Sequence, residues 1–171
     1  NPQINITIMK DLVIGMGEAL WDVLPEGKKI GGAPANFAYH VSQFGLPSCV
    51  VSAVGDDQLG REIEDNFTSK GLNQLIEKVP YPTGTVQVEI DQAGVPQYEI
   101  KENVAWDNIP YTTRLEELAS KTKAVCFGSL AQRNIVSRTT INRFLDAMPR
   151  TEETLVVFDV NLRQGFYNKE I

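Results

Sequence analysis

Apolar residues gather in four short runs along the chain, at 12–14, 49–54, 125–127 and 155–158. Each run is mostly rich in β-branched residues and lacks polar alternation, which predicts strands covered on both faces in a parallel sheet. Helical periodicities fill the intervals. Over 35–44, Phe37, Ala38, Val41 and Phe44 fall on one stripe, and Pro34 suits the first turn. Leu59, Ile63 and Phe67 recur at every fourth position, with Asp56 or Asp57 as the cap and Gly71 beyond the end. Thr113-Arg114-Leu115-Glu116 has capping-box spacing and opens a short helix through Leu118. Ile141, Phe144, Leu145 and Met148 face one way on a fourth helix that Pro149 stops. Strands alternating with helices predict an α/β fold.

One segment breaks the rhythm. Thr85-Val86-Gln87-Val88-Glu89-Ile90 alternates strictly, Asp91-Gln92-Ala93-Gly94 offers a turn, and 95–101 is extended again. That pattern predicts a β-hairpin with one wet face, inserted between βα units as a lid or an interface. A lone two-stranded hairpin is marginally stable. The face of Val86, Val88 and Ile90 is therefore expected to pack on a second subunit's hairpin, giving a homodimer.

Composition narrows the function classes. Apolar residues make up 42% and charged residues 22% of the 171 positions, so a packed core is expected. Sixteen Lys and Arg against 22 Asp and Glu leave a net charge of -6, which disfavours nucleic-acid and anionic-membrane partners. No apolar run approaches the ~18 residues of a membrane span. Residues 1–10 lack a basic n-region and a small-residue cleavage site. Cys49 and Cys126 lie inside apolar runs and read as buried thiols, so a reducing, cytoplasmic compartment is expected. A single His40 and two distant cysteines cannot make the usual zinc sites, and His40 reads as a plain helix residue. The P-loop spacing is absent, and Gly15-Met16-Gly17 has Leu20 where a dinucleotide fingerprint needs its third glycine.

In open α/β sheets, ligands bind beyond the carboxyl ends of the strands. The polar residues there are Glu18 and Asp22 after the first run, Ser129 after the third, and Asp159, Asn161 and Arg163 after the fourth. Acids, an amide and an arginine suit a polyhydroxylated ligand, because carboxylates accept from hydroxyls and Asn does both. Two plainer roles stay open: Asp22 as a turn cap and Asp159 as a loop anchor. Gly31-Gly32-Ala33-Pro34-Ala35-Asn36 combines close backbone approach with a helix start whose free N–H groups face a ligand. Val54-Gly55-Asp56-Asp57-Gln58-Leu59-Gly60 reads as a structural strand-to-helix turn with its own cap.

Four motifs occur in order: Gly17-Glu18-Ala19-Leu20-Trp21-Asp22, Gly31 through Asn36, Gly55-Asp56-Asp57-x-x-Gly60, and Phe158-Asp159-Val160-Asn161-Leu162-Arg163. Their order and spacing resemble the ribokinase-like, phosphofructokinase B-type carbohydrate kinases, and fructokinases most. The resemblance implies a Rossmann-like αβα sandwich with a small β-hairpin lid, its lid segments near 21–31 and 83–105. It also implies ATP-dependent phosphorylation of a sugar hydroxyl with Mg2+. Residue by residue, Asp22 resembles the acid that accepts from sugar hydroxyls, and Gly31, Gly32 and Asn36 the rest of that floor. Arg163 resembles the substrate-contacting arginine of keto-sugar-acid kinases, and Tyr98 a lid residue over the sugar. Asp159 and Asn161 are supporting candidates. Ala33 stands where ribokinases have lysine, which disfavours ribose.

The family's catalytic aspartate belongs to a Gly-Ala-Gly-Asp run that these residues do not contain. The resemblance implies that this base lies beyond Ile171. The chain is therefore expected to be an amino-terminal half, incomplete at its carboxyl end, with no catalytic base or metal ligand of its own and no activity alone. ATP and Mg2+ are expected to be held mainly by the other half. Kinases for 2-keto-3-deoxygluconate or a nucleoside are the alternatives within the fold, and a non-catalytic sugar-binding module that ends at Ile171 is the alternative outside it. An acidic substrate calls for more positive charge near Arg163, with Arg133 and Lys101 as the candidates.

Overall fold

The computed structural model of the protein describes residues 10–90, 92 and 94–171. Residues 1–9 of the amino-terminal stretch, and Asp91 and Ala93 of the hairpin turn, lie outside the described residues. In chain order the strands are β1 (Leu12–Met16), β2 (Leu20–Leu24), β3 (Gly27–Gly31), β4 (Ser48–Gly55), β5 (Asn73–Val79), β6 (Gly84–Ile90), β7 (Pro96–Ile100), β8 (Thr122–Gly128) and β9 (Leu155–Asp159). The α-helices are α1 (Ala33–Gln43), α2 (Gln58–Ser69), α3 (Thr113–Ala119) and α4 (Ile135–Ala147).

Five strands form a parallel sheet in the order β5-β4-β1-β8-β9. Alternation along β4 divides the core in two. Cys49, Val51 and Ala53 pack with Leu115 and Leu118 of α3 and Ile141 and Phe144 of α4. Val50 and Val54 point the other way, onto Ala35 and Ala38 of α1 and Ile63 and Phe67 of α2. Helices on both faces of a parallel sheet make the expected αβα sandwich. Cys49 and Cys126 are both buried and free.

The lid is larger than a hairpin. β6 and β7 pair antiparallel as expected, but β6 also runs parallel to β2, which pairs antiparallel with β3. The result is a four-stranded sheet in the order β3-β2-β6-β7. Its inner face, with Leu20, Val86, Val88 and Ile100, joins the main core beside Met16 and Trp106. This corrects the expectation that Val86 and Val88 await a second subunit. Both are buried by their own chain, and Ile90 is the member of that stripe left exposed.

Three further expectations are corrected. In α1 the buried residues are Pro34, Ala35 and Ala38, whereas Phe37 and Val41 are half-buried and Phe44 is 83% exposed. Small residues let the helix lie close on the sheet, and Phe44 is already the C-cap. The cap of α3 is Thr112, whose hydroxyl accepts from the Leu115 amide at 3.2 Å, one residue before the expected Thr113. β9 is not covered on both faces. Leu155, Val156, Val157 and Phe158 are all exposed, on a strand that among the described residues pairs only with β8 at the edge of the sheet. The chain then runs through irregular structure to Ile171, which is half-buried and whose amide donates to the Asn168 carbonyl at 3.3 Å.

Candidate functional site

Parallel strands end together, so the residues following β1 and β9 meet at one edge, beneath the lid. A cavity of about 580 Å³ opens there. Asp22, Gly31, Gly32, Asn36, Tyr98, Asn161 and Arg163 all line it, as do Glu18 and Gln164. Residues as distant in sequence as Asp22 and Arg163 thus line one cavity. Ile171 is not part of it. It borders a separate hollow beside Arg133 and Phe166, so the last residue of the chain takes no part in the cavity.

β2 holds Asp22 by pairing on both sides, against Lys29 of β3 and Val86 of β6. Its neighbour Trp21 anchors the strand by donating from Nε1 to the Leu59 carbonyl at 3.0 Å. Partial burial pushes the Asp22 carboxyl above the usual carboxylate range, against the pull of the Arg163 guanidinium. The paired glycines have steric causes. A side chain at Gly31 would strike Asp22 Oδ2, and one at Gly32, where φ is 108°, would strike the Glu18 carbonyl. Asn36 sits in the first turn of α1, its amide donating to the Gly32 carbonyl at 3.0 Å, with its residue exposed to the cavity.

The far wall comes from the lid and from the segment after β9. Tyr98 on β7 is 51% exposed, and its carbonyl accepts from Gln164 Nε2 at 2.7 Å, tying the lid to that segment. Asp159 does not line the cavity. Its Oδ1 accepts from the Asn161 amide at 3.2 Å, the loop-anchoring role, which turns the chain so that Asn161 and Arg163 reach the cavity. Ser129, also outside the cavity wall, donates from Oγ to the Asn161 carbonyl at 3.2 Å and braces the same turn.

Two structural devices hold this arrangement. Asp57, the cap of α2, accepts from the Gly60 amide at 2.8 Å, and from the Thr83 amide and hydroxyl at 2.9 and 2.6 Å. Thr83 immediately precedes β6, so the Gly55–Gly60 turn latches the root of the lid, in keeping with its structural reading. Burial works upward on the Asp57 carboxyl, but the Thr83 and Gly60 hydrogen bonds hold it below its ordinary value. The second device is Arg133. Its Nε and Nη2 reach Asp107 at 2.7 and 2.9 Å, and Nη2 also donates to the Lys101 carbonyl at 2.6 Å. The guanidinium lies 4.2 Å from the Trp106 ring centroid and 4.6 Å from that of Phe166. Lys101 Nζ pairs with Glu99 at 2.6 Å. Both cations that the sequence offered for an acidic substrate are thus engaged elsewhere.

Glu18, one of the acids that the sequence places beyond β1, and Gln164, which has no role from the sequence, also line the cavity. Glu18 follows β1 directly, and that position was the available signal. It is 4% exposed, and burial pushes its carboxyl up to about 7, against hydrogen bonding from its own and the Ala33 backbone. The side chains of Asp57, Thr112 and Asn134 each accept one amide at the starts of α2, α3 and α4, whereas α1, which begins at the cavity, has no side-chain cap. Among the described residues no cluster of His, Cys, Asp and Glu is arranged to hold a metal ion, and no helix is long and apolar enough to cross a membrane.

The chain thus joins a parallel sheet with helices on both faces to a second, four-stranded sheet, with a polar cavity beyond the ends of the main strands. Residues 23–168 match the pfkB family carbohydrate kinase model, and the chain belongs to that family. It is 30% identical over 170 residues to the putative sugar kinase PH1459 of Pyrococcus horikoshii, covering 90% of this chain and 54% of that protein. The crystal structure of PH1459 superposes with a TM-score of 0.78 over 93% of this chain and 56% of the other. Fructokinase from Vibrio cholerae O395 superposes with a TM-score of 0.76 at 25% identity, covering 94% of this chain and 57% of that one. A 5-dehydro-2-deoxygluconokinase of Bacillus cereus is 28% identical over 149 residues, 84% of this chain and 44% of the relative. The chain thus spans about half the length of the relatives it matches.

Proposed function

We propose that this chain forms the sugar-binding face and lid of an ATP-dependent carbohydrate kinase acting on a neutral, fructose-like sugar. The observation that carries the reading is the convergence of Asp22, Asn36 and Arg163 on one lidded cavity in a pfkB family chain. Asp22 accepts from sugar hydroxyls, Asn36 donates and accepts, and Arg163 donates, which together match a polyol. Tyr98 closes the wall from the lid. ATP supplies the phosphoryl group and Mg2+ neutralises its phosphates in such transfer. These residues supply neither site, and their part is to orient the acceptor hydroxyl and exclude water from it. The proton acceptor, in this reading, belongs to the portion of the protein beyond Ile171.

A neutral sugar is favoured because Arg133 is held by Asp107 and Lys101 by Glu99, leaving Arg163 as the cation lining the cavity. The second reading is a sugar-acid kinase, with Arg163 taking the substrate carboxylate, and the dehydro-deoxygluconokinase relatives favour it. Coupled ADP release by the whole protein, with fructose and 2-keto-3-deoxygluconate compared at equal concentration, separates them. Faster turnover of the acid would overturn the neutral-sugar reading, and no turnover of either would remove both. A homodimer through the lid rests on Ile90, 59% exposed near the hairpin tip. Light scattering of the whole protein at micromolar concentration tests it, and a monomer sinks it.

A further inference from the structure

We propose that Glu18 is a second sugar-contacting acid, acting with its proton on and donating to a substrate oxygen at the buried end of the cavity. The inference rests on the carbohydrate-kinase reading and adds a residue to its site. Glu18 lines the cavity at the carboxyl end of β1, between the floor loop of Gly31 and Gly32 and the segment carrying Asn161. Its Oε2 is buried without a hydrogen-bond partner among the described residues. A buried carboxyl oxygen left unsatisfied is costly, and a ligand hydroxyl or ether oxygen entering the cavity supplies the missing partner.

The surroundings decide which form of the acid does this. Asp159 at the end of β9 repels a carboxylate at Glu18, and the Cys126 thiol on β8 is itself pushed up by burial and by both acids. Arg133, after β8, favours the charged form but is already committed to Asp107. Asp22 and Arg163 stand on other walls of the same cavity. The Ala33 amide at the start of α1 is the neutral donor nearby. Burial dominates this set, so the proton stays on to about pH 7. A protonated carboxyl is a donor, which complements Asp22, an acceptor, on a substrate whose oxygens need both.

The plainer alternative is that Glu18 only holds the floor loop through Ala33. The test therefore compares E18Q, which keeps a donor and an acceptor without titrating, with E18A. In the whole protein, kcat/KM for fructose at saturating Mg-ATP should fall above pH 7 in the wild type. In E18Q it should stay level, near the wild-type acid limb. Below pH 7, E18A should raise the fructose KM by roughly 5- to 30-fold over the wild type, with the KM for ATP unchanged, and the gap should narrow as the wild type loses its proton. An E18Q profile that keeps the wild-type inflection overturns the inference, as does an unchanged fructose KM in E18A below pH 7. A wild type that neither turns over fructose nor binds it by calorimetry overturns the kinase reading, and this inference with it.

Discussion

Asp22 and Glu18 show how surroundings assign two carboxyls different work. Asp22 is half-buried on β2, where Arg163 opposes the upward push of burial on its carboxyl, and in the proposed reading it accepts from sugar hydroxyls, so Asp22→Ala should weaken sugar use far more than ATP use. A hydrogen bond to a charged group contributes roughly 1.5–3 kcal/mol, so the sugar kcat/KM should drop about 10- to 150-fold. Asn36→Ala should act in the same direction and less strongly. Steady-state kinetics with each substrate varied checks both, and unchanged sugar parameters remove the pair from the site. Glu18 predicts a stability effect as well. Its folded value of about 7 lies above the ordinary 4.5. The folded state therefore keeps a proton that the unfolded chain releases, and stability falls as pH rises through that window. The loss is roughly 3 kcal/mol by linkage. Urea midpoints between pH 4.5 and 7.5 should slope downward for the wild type relative to E18Q, and parallel curves refute the shift. Asp22, Gly31, Gly32, Asn36 and Arg163 were legible in the sequence because their spacing carries the resemblance. Glu18 was legible as an acid beyond the first strand, but its burial was not, because the residues that line the cavity around it, such as Leu20 and Val86, come from separate strands.

Among the elements, the lid depends on a joint distant from the sugar. Asp57 caps α2 and takes two hydrogen bonds from Thr83 at the root of β6. Asp57→Ala should therefore both fray α2 and loosen β6, at a cost of about 1–3 kcal/mol. Because the Asp57 carboxyl sits below its ordinary 3.8, its contribution is present above that pH and is lost as pH falls through the folded value. The gap in thermal midpoint between wild type and D57A should be full at pH 6 and narrow in strong acid. Hydrogen exchange should quicken in β6 and β2, and a variant with unaltered exchange there would falsify the latch. The same elements show what periodicity conveys. Strands β1, β4 and β8 were legible because continuous apolar runs mark burial on both faces. β5 was not, since Gln74, Glu77 and Lys78 break any run in a strand at the other edge of the sheet. β3 carries Lys28 and Lys29 on an exposed lid edge and presents no apolar stripe at all. Phe44 misled for a related reason: a helical stripe does not state which of its members the tertiary contacts will cover.

Across the whole molecule the two edges of the main sheet differ. β5 is a mixed, half-covered edge, whereas β9 exposes Leu155 at 62%, Val156 at 54%, Val157 at 43% and Phe158 at 40%. Neighbouring Val160 and Leu162 are also exposed, at 56% and 51%. An apolar, unpaired strand edge is a template for pairing with another chain. The 171-residue chain expressed by itself should therefore self-associate or precipitate at micromolar concentration. Replacing Val156 and Val157 together by lysine, one on each face of the strand, should shift size-exclusion profiles toward monomer without lowering the thermal midpoint. The same chain should release no ADP with fructose and Mg-ATP, because these residues lack the Gly-Ala-Gly-Asp run that the family resemblance implies for the proton acceptor and the anion hole. Asp159 accepts from the Asn161 amide as a loop anchor and does not line the cavity, so it is not placed to serve as the base. Coupled ADP release by the monomeric lysine variant, run beside the whole protein and free of host kinase, tests this directly. Turnover by that variant would show that a nucleotide site and a proton acceptor are present in these residues after all.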